Sequence, residues 1–306
     1  MKYIFFDIES ADGISKICEF GYSIWIPETN FIYKWTYLIN PKAKFKLIGR
    51  KHRKDLDLSF DEDKYKNAPS FKEIYNDIKS LLEQEEAIIL GWSVENDIRF
   101  LDKECRHYKL PRIKYFAYDV QAIYKEFKNN KNKYSSLEYV ANELIKPEDN
   151  YDLIDHRSSD DAYKTMLVFQ QIIKELNTTA NEIVSICEEY KYDSIGFMNE
   201  EKRRQEEKLI IEKNRKLYLS ECTNLSLDEI HDNSIHKYYL TNKITANTEF
   251  LNKIIDKKNK ENIILISKIR DANYVIVIDE NEKEGITSSF KEDINFQIIL
   301  LNDFLN

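Results

Sequence analysis

The sequence lacks a long apolar run. No apolar stretch approaches the roughly 18 residues that a membrane-spanning helix needs. The segment MKYIFFDIES holds one short apolar run, which Asp7 and Glu9 interrupt where a signal peptide requires a longer apolar core and a small-residue cleavage site. We therefore expect a cytoplasmic protein.

Cysteine is also scarce. The chain has four cysteines that lie far apart and form no CxxC pair: Cys18, Cys105, Cys187 and Cys222. Zinc sites and disulfide frameworks require characteristic cysteine spacings. This spacing suggests neither, and we expect buried, reduced thiols.

Positive charge is in the minority, because 46 Lys and Arg stand against 54 Asp and Glu for a formal net charge of −8. Affinity for a phosphate backbone comes from clustered Lys and Arg, so binding of nucleic acid would have to be local. Basic side chains cluster in one segment around Phe45: Lys42, Lys44, Lys46, Arg50, Lys51, His52, Arg53 and Lys54. This segment could contact nucleic acid or be only the solvated face of a loop.

Length and composition indicate a globular protein with two domains. A chain of 306 residues is long for a single domain, and 33% charged with 42% apolar residues is typical of globular chains. We predict a first domain at 1–176, a charged helical linker at 177–234, and a small α/β domain at 235–306.

The predicted first domain opens with a three-stranded meander and continues with alternating helices and strands. Apolar runs predict strands at 2–8, 18–26, 31–39, 87–90 and 114–118. Helical spacing predicts helices at 71–82, 95–106, 121–127, 136–144 and 160–176, with Ser70 capping the first and Ser135 or Ser136 the fourth. This order is typical of an α/β fold with a mixed sheet.

The predicted second domain alternates short strands and helices. Strands are expected at 238–240, 263–266, 274–279 and 297–300, and helices at 247–256 and near 288–294. Such alternation predicts a small parallel sheet.

Acidic residues mark three places where predicted strands and helices meet. Asp7 and Glu9 are two apart on a strand, so both side chains leave the same face. Asp97 begins a helix after a buried strand, and Asp161 begins another, five residues after His156. Carboxylate oxygens are the ligands that Mg²⁺ prefers, although an isolated carboxylate in a first helical turn can also do no more than balance the helix dipole.

The order and spacing of these residues resemble the DnaQ-like exonucleases of the DEDD superfamily, in the DEDDh subclass that carries a histidine in its last motif. The matching elements are Phe6-Asp7-Ile8-Glu9, Asn96-Asp97 and His156-x4-Asp161-Ala162, and the resemblance covers about residues 1–175. It implies a ribonuclease H-like mixed sheet flanked by helices.

The resemblance also implies a 3′-to-5′ exonuclease that uses two divalent ions, Mg²⁺ or Mn²⁺, and releases 5′-mononucleotides. Asp7 would bridge both ions, Glu9 and Asp161 would ligate the ion that activates water, and Asp97 would hold the other. His156 would be the general base, which suits a side chain whose ordinary pKa lies near neutrality. Two ions about 3.5 to 4 Å apart can stabilise both the attacking and the leaving oxygen of a phosphoryl displacement.

Four further residues are candidates for contact with the substrate. Ser10 and Ala11 stand where the family contacts the terminal nucleotide through the backbone, or they form an ordinary turn at the end of a strand. Trp92 takes the place of a histidine found in many relatives, and it would stack on a base or pack in the interior. Asn96 takes the place of an aromatic residue.

Other acidic residues near these motifs have simpler interpretations. Asp119 follows a predicted strand and is expected to cap the next helix. Asp152, Asp155 and Asp160 crowd the last motif and are expected to be solvated.

The predicted domain at 235–306 weakly resembles a BRCT domain. Thr241 stands where that family holds a phosphate but lacks the accompanying glycine, Lys291 corresponds to the family's lysine, and Phe304 takes the place of its usual tryptophan. This domain could bind DNA ends or a protein partner, or it could be a small stabilising or dimerising domain.

Together these observations predict a nuclease that acts on DNA 3′ ends in proofreading or repair, with the BRCT-like domain favouring DNA. An exoribonuclease that trims RNA 3′ ends is the alternative with the same chemistry, because sugar discrimination lies in a few contacts to the 2′-position. A non-catalytic scaffold that binds nucleic acid or protein is the alternative from another class.

Overall fold

The computed structural model describes residues 1–46, 59–128, 135–150, 152–232, 234–261, 263–290 and 296–306. It divides the chain into two units, Met1–Glu200 and Glu201–Asn306. Within the described residues, every helix is too short or too polar to cross a lipid bilayer.

A six-stranded mixed sheet forms the centre of the first unit. Its strands are β1 (Lys2–Ser10), β2 (Ile17–Ile26), β3 (Phe31–Leu38), β4 (Ala87–Gly91), β5 (Phe116–Asp119) and β6 (Lys191–Asp193), in the order β3-β2-β1-β4-β5-β6. The pairs β1–β4 and β4–β5 are parallel, whereas β1–β2, β2–β3 and β5–β6 are antiparallel. The predicted mixed sheet, with its opening meander, is confirmed.

Helices cover both faces of this sheet. They are α1 (Glu62–Lys66), α2 (Phe71–Leu82), α3 (Glu95–His107), α4 (Val120–Phe127), α5 (Leu137–Leu144), α6 (Pro147–Asn150), α7 (Ser158–Glu175) and α8 (Ala180–Ile186). Side chains alternate along β1, so Ile4 and Phe6 enter a core with α2 and α3, whereas Tyr3 and Phe5 enter a core with α4, α5, α7 and α8.

Two predicted helix caps are present. Ser70 lies at the N-cap of α2, where Glu73 accepts its backbone N–H at 2.7 Å. Ser136 is the N-cap of α5, and its hydroxyl accepts the backbone N–H of Tyr139 at 3.2 Å. Both caps satisfy backbone groups that a helix terminus leaves free.

The cysteines are free thiols. Cys18, Cys105 and Cys187 are buried, as predicted, and Cys222 is half-buried.

The segment 177–193, which we placed in the charged linker, lies in the first unit. It contains α8 and the edge strand β6, which pairs with β5. Directly after β6, the backbone N–H of Ser194 donates to the carbonyl of Tyr115 at 3.0 Å. A strand of three residues is too short to show a period in the sequence, so the surrounding charges obscured it.

The helical, charged character predicted for the linker is found in α9 (Ser194–Glu221), a helix of 28 residues. Its charged residues begin at Glu200, with a run of acidic and basic residues at 200–208.

A four-stranded parallel sheet forms the centre of the second unit and confirms the predicted topology class. Its strands, in the order β10-β9-β7-β8, are β7 (Lys237–Leu240), β8 (Ile264–Leu265), β9 (Tyr274–Val277) and β10 (Gln297–Leu300). The helices are α10 (Leu227–His231), α11 (Asn242–Ala246), α12 (Thr248–Glu261), α13 (Glu280–Phe290) and α14 (Leu301–Leu305).

One helix of the second unit differs from its prediction. Helix α13 begins at Glu280, well before the helix expected near 288–294, because its acidic first turn gives no apolar period. The BRCT likeness of this unit stays a prediction, and Lys291 lies outside the described residues.

Strand β2 carries a bulge opposite the end of β1. Glu9 pairs with Glu19, but Ser10 pairs with Ile17, so Cys18 is an extra residue on β2. Glu9 and Glu19 therefore lie side by side where the two strands leave regular pairing.

Gly21 brings the start of α7 against the same part of β2. A Cβ atom at this position would lie 2.1 Å from the carbonyl carbon of Ser158, the first residue of the helix. Only glycine allows this approach, which sets the position of α7 relative to the end of β1.

Candidate active site

Acidic side chains from the three motifs meet at the carboxyl end of β1. Asp7 and Glu9 come from the strand, Asp97 from the first turn of α3, and Asp161 from the first turn of α7. Asp97 also makes a hydrogen bond with the backbone of Ile8, which fixes α3 against the strand. The fold thus brings together residues that lie up to about half of the chain apart.

Asp7 is half-buried, and its Oδ2 atom is fully buried with no hydrogen-bond partner among the described residues. Burial raises the pKa of Asp7 well above the ordinary value, and the charges of Asp97, Glu9 and Asp161 raise it further. A buried carboxylate oxygen without a donor is costly, and a bound cation would offset this cost.

Asp97 is also buried in the cluster. It is 4% exposed. Burial raises its pKa well above the ordinary value, and the charges of Glu9 and Asp119 add to the rise. Hard divalent cations take oxygen ligands of this kind, so the donor set fits Mg²⁺ or Mn²⁺.

Glu9, His156 and Asp161 form a group on the solvent side of the cluster. Each offers a ligand atom within 4.8 Å of the other two. The Nδ1 atom of His156 lies 3.5 Å from Oε1 of Glu9. Burial raises the pKa of Glu9, the hydrogen bond and charge of His156 oppose the rise, and Asp161 adds to it.

His156 is open to solvent but fixed in its backbone. Its side chain is 58% exposed. Its φ angle is 60°, in the left-handed region. The N–H of His156 donates to Oδ2 of Asp161 at 3.1 Å, and its carbonyl accepts a hydrogen bond from the Ser59 hydroxyl at 2.6 Å. The imidazole is thus presented from an anchored loop.

A buried lysine, which the sequence analysis missed, completes the last motif. The Lys164 side chain is 3% exposed and forms ion pairs with Asp155 and with Asp161, the latter at 3.2 Å. The spacing of Asp161 and Lys164, three apart on a helix, was the available signal. Lys164 therefore supplies positive charge to one of the candidate ligands.

The prediction that the acidic residues before Asp161 are solvated is wrong for Asp160. Asp152 and Asp155 are exposed, and Asp155 also pairs with Lys164. Asp160 is buried, lies 2.6 Å from Nζ of Lys34 on β3, and accepts the backbone N–H of Ile154 at 3.1 Å. The contact between Lys34 and Asp160 joins residues distant in sequence, which a local pattern does not reveal.

Ser10 and Ala11 lie in a hydrogen-bonded turn at the end of β1. The Ser10 hydroxyl accepts the N–H of Gly13 at 3.0 Å. Ala11 is buried, its N–H donates to the carbonyl of Lys16 at 2.7 Å, and its carbonyl accepts the N–H of Lys46 at 3.0 Å. Their contact with a nucleotide stays a prediction.

Trp92 is in the interior. It is 9% exposed, its ring centroid lies 6.3 Å from that of Tyr124, and its Nε1 atom has no acceptor among the described residues. Packing is therefore favoured over base stacking. Asn96, in contrast, is exposed at the start of α3, where its side-chain oxygen accepts a hydrogen bond from Arg99 at 3.1 Å.

Asp119 has the predicted capping role and one more. Its carboxylate accepts the backbone N–H groups of Gln121 and Ala122 at the start of α4. It also accepts the N–H of Ser93 at 3.1 Å, which ties the loop after β4 to β5.

In the basic segment around Phe45, only Lys42, Lys44 and Lys46 of the basic residues lie within the described residues.

Comparison with known proteins gives a family. The family model described as Exonuclease (RNase_T) matches residues 15–169, about half of the chain. The match includes Asp97, His156 and Asp161 and begins after Asp7 and Glu9. A search of the curated proteins gave no match.

Similar solved structures include cell-death related nuclease 4, at 11% identity and a TM-score of 0.39, with 57% of this chain and 64% of that chain covered. Exonuclease X in complex with 5′ overhanging duplex DNA has 15% identity and a TM-score of 0.43, with 61% and 98% covered. The nuclease domain of 3′hExo, a DEDDh family member bound to rAMP, has 14% identity and a TM-score of 0.41, with 57% and 92% covered. The chain thus spans less than two thirds of the length of cell-death related nuclease 4.

The family match agrees with the mixed sheet flanked by helices that the first unit contains. The chain therefore belongs to the exonuclease family of nucleases, with a ribonuclease H-like fold.

Proposed function

We propose that this protein is a metal-dependent 3′-to-5′ exonuclease that hydrolyses DNA from its 3′ end and releases 5′-mononucleotides, in proofreading or repair. The observation that carries the proposal is the unpaired, buried carboxylate oxygen of Asp7 inside a group of other carboxylates. Bound cations would offset the mutual repulsion of such a group, and its open side carries an exposed histidine.

Asp7, Glu9, Asp97 and Asp161 would hold two divalent ions, Mg²⁺ or Mn²⁺. When bound, the ions would supply charge stabilisation to the attacking and leaving oxygens of the phosphodiester. The carboxylates themselves fix where the scissile phosphate can lie, because they come from three rigid elements rather than from a loop.

His156 would accept the proton of the attacking water. Its ring is accessible to solvent, and its neighbour Glu9, 3.5 Å away, stabilises the protonated imidazole that results. Proton transfer of this kind contributes roughly 10²- to 10⁴-fold to the rate. Loss of the imidazole would therefore lower turnover without removing the carboxylates.

The choice of DNA over RNA rests on the BRCT-like sequence pattern of the second unit, which would bind DNA ends or a protein partner. The exoribonuclease alternative has the same chemistry. It differs in the substrate that the enzyme would degrade fastest, so one experiment can separate the two.

The protein would be incubated with 5′-labelled single-stranded DNA, duplex DNA and RNA of the same sequence, with Mg²⁺, Mn²⁺ or EDTA. We expect stepwise shortening of DNA from its 3′ end, release of 5′-mononucleotides, and no reaction in EDTA. A terminal 3′ phosphorothioate should slow the reaction, because hydrolysis begins at that linkage.

Asp7→Asn should abolish this activity, and Asp77→Asn, which changes an exposed aspartate on α2, is the matched control. Release that persists in EDTA or in Asp7→Asn would contradict the proposal. Faster shortening of RNA would favour the exoribonuclease, and internal cleavage would contradict exonuclease action.

A further inference from the structure

Glu19 is a buried carboxylate beside the candidate site. It lies on β2 directly opposite Glu9 and is 1% exposed. Within the described residues its contacts are neutral donors and include no ion pair. A buried carboxyl group is costly unless hydrogen bonds satisfy it, so the contacts of Glu19 are what keep it in this position.

The contacts of Glu19 come from two other parts of the first unit. Oε1 accepts a hydrogen bond from the hydroxyl of Tyr65 on α1 and lies 2.9 Å from the hydroxyl of Ser59. Oε2 accepts the backbone N–H of Ser158 at 3.3 Å and its hydroxyl at 3.1 Å. Glu19 therefore joins β2, the segment around Ser59 and the start of α7.

The contact with Ser158 lies inside the last motif. Ser158 is the first residue of α7, two residues after His156 and three before Asp161. Its N–H is one of the donors that a helix leaves free at its N-terminus, and a negative charge is favourable there. Two residues further along β2, Gly21 admits the same helical turn.

The contact with Ser59 reaches the backbone of His156. The Ser59 hydroxyl lies between Oε1 of Glu19 and the carbonyl of His156, 2.6 Å away, and its single proton can serve one acceptor at a time. A left-handed non-glycine residue such as His156, with φ of 60°, is strained and persists only when its surroundings hold it.

We propose that Glu19 is a positioning residue for the last motif. It holds the first turn of α7 through Ser158, two residues from the left-handed backbone of His156, while Ser59 beside it holds that backbone when its hydroxyl donates to the His156 carbonyl. The imidazole then stays beside Glu9 and Asp161. This inference rests on the proposed role of His156 as the general base.

The test uses the full chain with Glu19→Gln, which keeps the size of the side chain but removes its charge. Ser59→Ala is a second, milder variant that removes only the hydroxyl between Glu19 and His156. Glu104→Gln is the matched control, since Glu104 is also a buried glutamate, on α3, and its ion pair with Lys16 is 3.7 Å long.

The first readout is hydrogen exchange of the metal-free protein, followed by mass spectrometry of peptides that cover 152–162. We expect faster exchange of these amides in Glu19→Gln and, less strongly, in Ser59→Ala, with the rest of the first unit unchanged. Glu104→Gln should leave 152–162 as in the wild type.

The second readout is steady-state kinetics on single-stranded DNA with Mg²⁺. We expect kcat of Glu19→Gln to fall roughly ten- to a hundred-fold, as for a displaced catalytic group, while KM stays near the wild-type value. A purely structural role would instead lower the fraction of active enzyme in proportion to the loss of folded protein.

Unchanged exchange at 152–162 in both variants would overturn the proposal, and so would an unchanged kcat in Glu19→Gln. If Glu19→Gln does not fold, Ser59→Ala carries both measurements alone. A wild type without turnover would contradict the proposed function, whereas exchange would still decide whether Glu19 holds the loop.

Discussion

Replacing Asp7 by asparagine should make the metal-free protein more stable while removing its response to divalent metal. Asp7 is half-buried, its buried Oδ2 atom has no donor among the described residues, and neighbouring carboxylates surround it. Asparagine has nearly the same shape, removes the charge, and adds donors that can face those carboxylates.

The sign follows from the raised pKa of Asp7. The folded state binds the proton of Asp7 more tightly than the unfolded state does. Stability of the metal-free wild type therefore falls as pH rises from the ordinary carboxyl pKa through the raised value. Asp7→Asn removes this loss, so its advantage over the wild type should be small at acidic pH and largest above the raised pKa.

The magnitude is that of relieving one unsatisfied buried group, about 1 to 3 kcal/mol. Each kcal/mol corresponds to roughly 2 to 4 °C in Tm for a unit of this size. Metal should stabilise the two proteins to different extents, because an ion at a hundred times its Kd stabilises the wild type by about 2.7 kcal/mol. Asp7→Asn should lose most of that gain.

The assay is thermal denaturation of both proteins at acidic and mildly alkaline pH, in EDTA and with excess MnCl2. Asp12→Asn is the contrasting control. Burial raises the pKa of Asp12, but hydrogen bonds from the backbone of Ser15, Lys16 and Ile14 outweigh this and lower it. Its charge therefore stabilises the fold above the ordinary carboxyl pKa, and Asp12→Asn should lower Tm.

Two results would refute the reasoning. One is a lower Tm of Asp7→Asn than of the wild type in EDTA at alkaline pH, because the buried charge would then be compensated. The other is an Mn²⁺-induced rise in Tm as large in Asp7→Asn as in the wild type, because Asp7 would then hold no metal.

Three further predictions concern the first unit. Lys164→Met leaves Asp161 without its buried partner, so we expect the free energy of unfolding in urea to fall by about 3 kcal/mol without metal. The decrease should be smaller when MnCl2 is present, and equal decreases with and without metal would contradict this prediction. Gly21→Ala places a methyl group against the backbone of α7, so overpacking should lower the free energy of unfolding by more than about 1 kcal/mol. An unchanged Tm would contradict this prediction. A chain of residues 1–200 should unfold at a higher temperature than a chain of residues 1–176, which lacks β6. Equal Tm values would show that the folded domain ends by residue 176.

Much of the site could be predicted because its signals are local. The spacing of Asp7 and Glu9 on one strand is fixed by the two-residue period of a β-strand. Asp97 and Asp161 lie in the first turns of α3 and α7, and the sequence shows where both helices begin. Residues of this kind are determined by their immediate neighbours in the chain.

The remaining parts depend on contacts between distant segments. Glu19 and Ser158 are separated by 139 residues, and Lys34 and Asp160 by 126. No period or spacing encodes such pairs. Trp92 illustrates a different limit, because an aromatic residue at a strand end is equally suited to a base or to the interior. Only the fold shows that its ring packs beside Tyr124.

The bulge at Cys18 also determines which changes of length this strand can accept during evolution. It lets Ile17 and Glu19 point to opposite faces although they are two apart, so a homologous strand without Cys18 could restore regular pairing and keep Glu19 in place. A residue gained or lost between Glu19 and Gly21 would instead turn Gly21 to the wrong face and displace α7. Insertions and deletions should therefore accumulate before Glu19 and be eliminated after it.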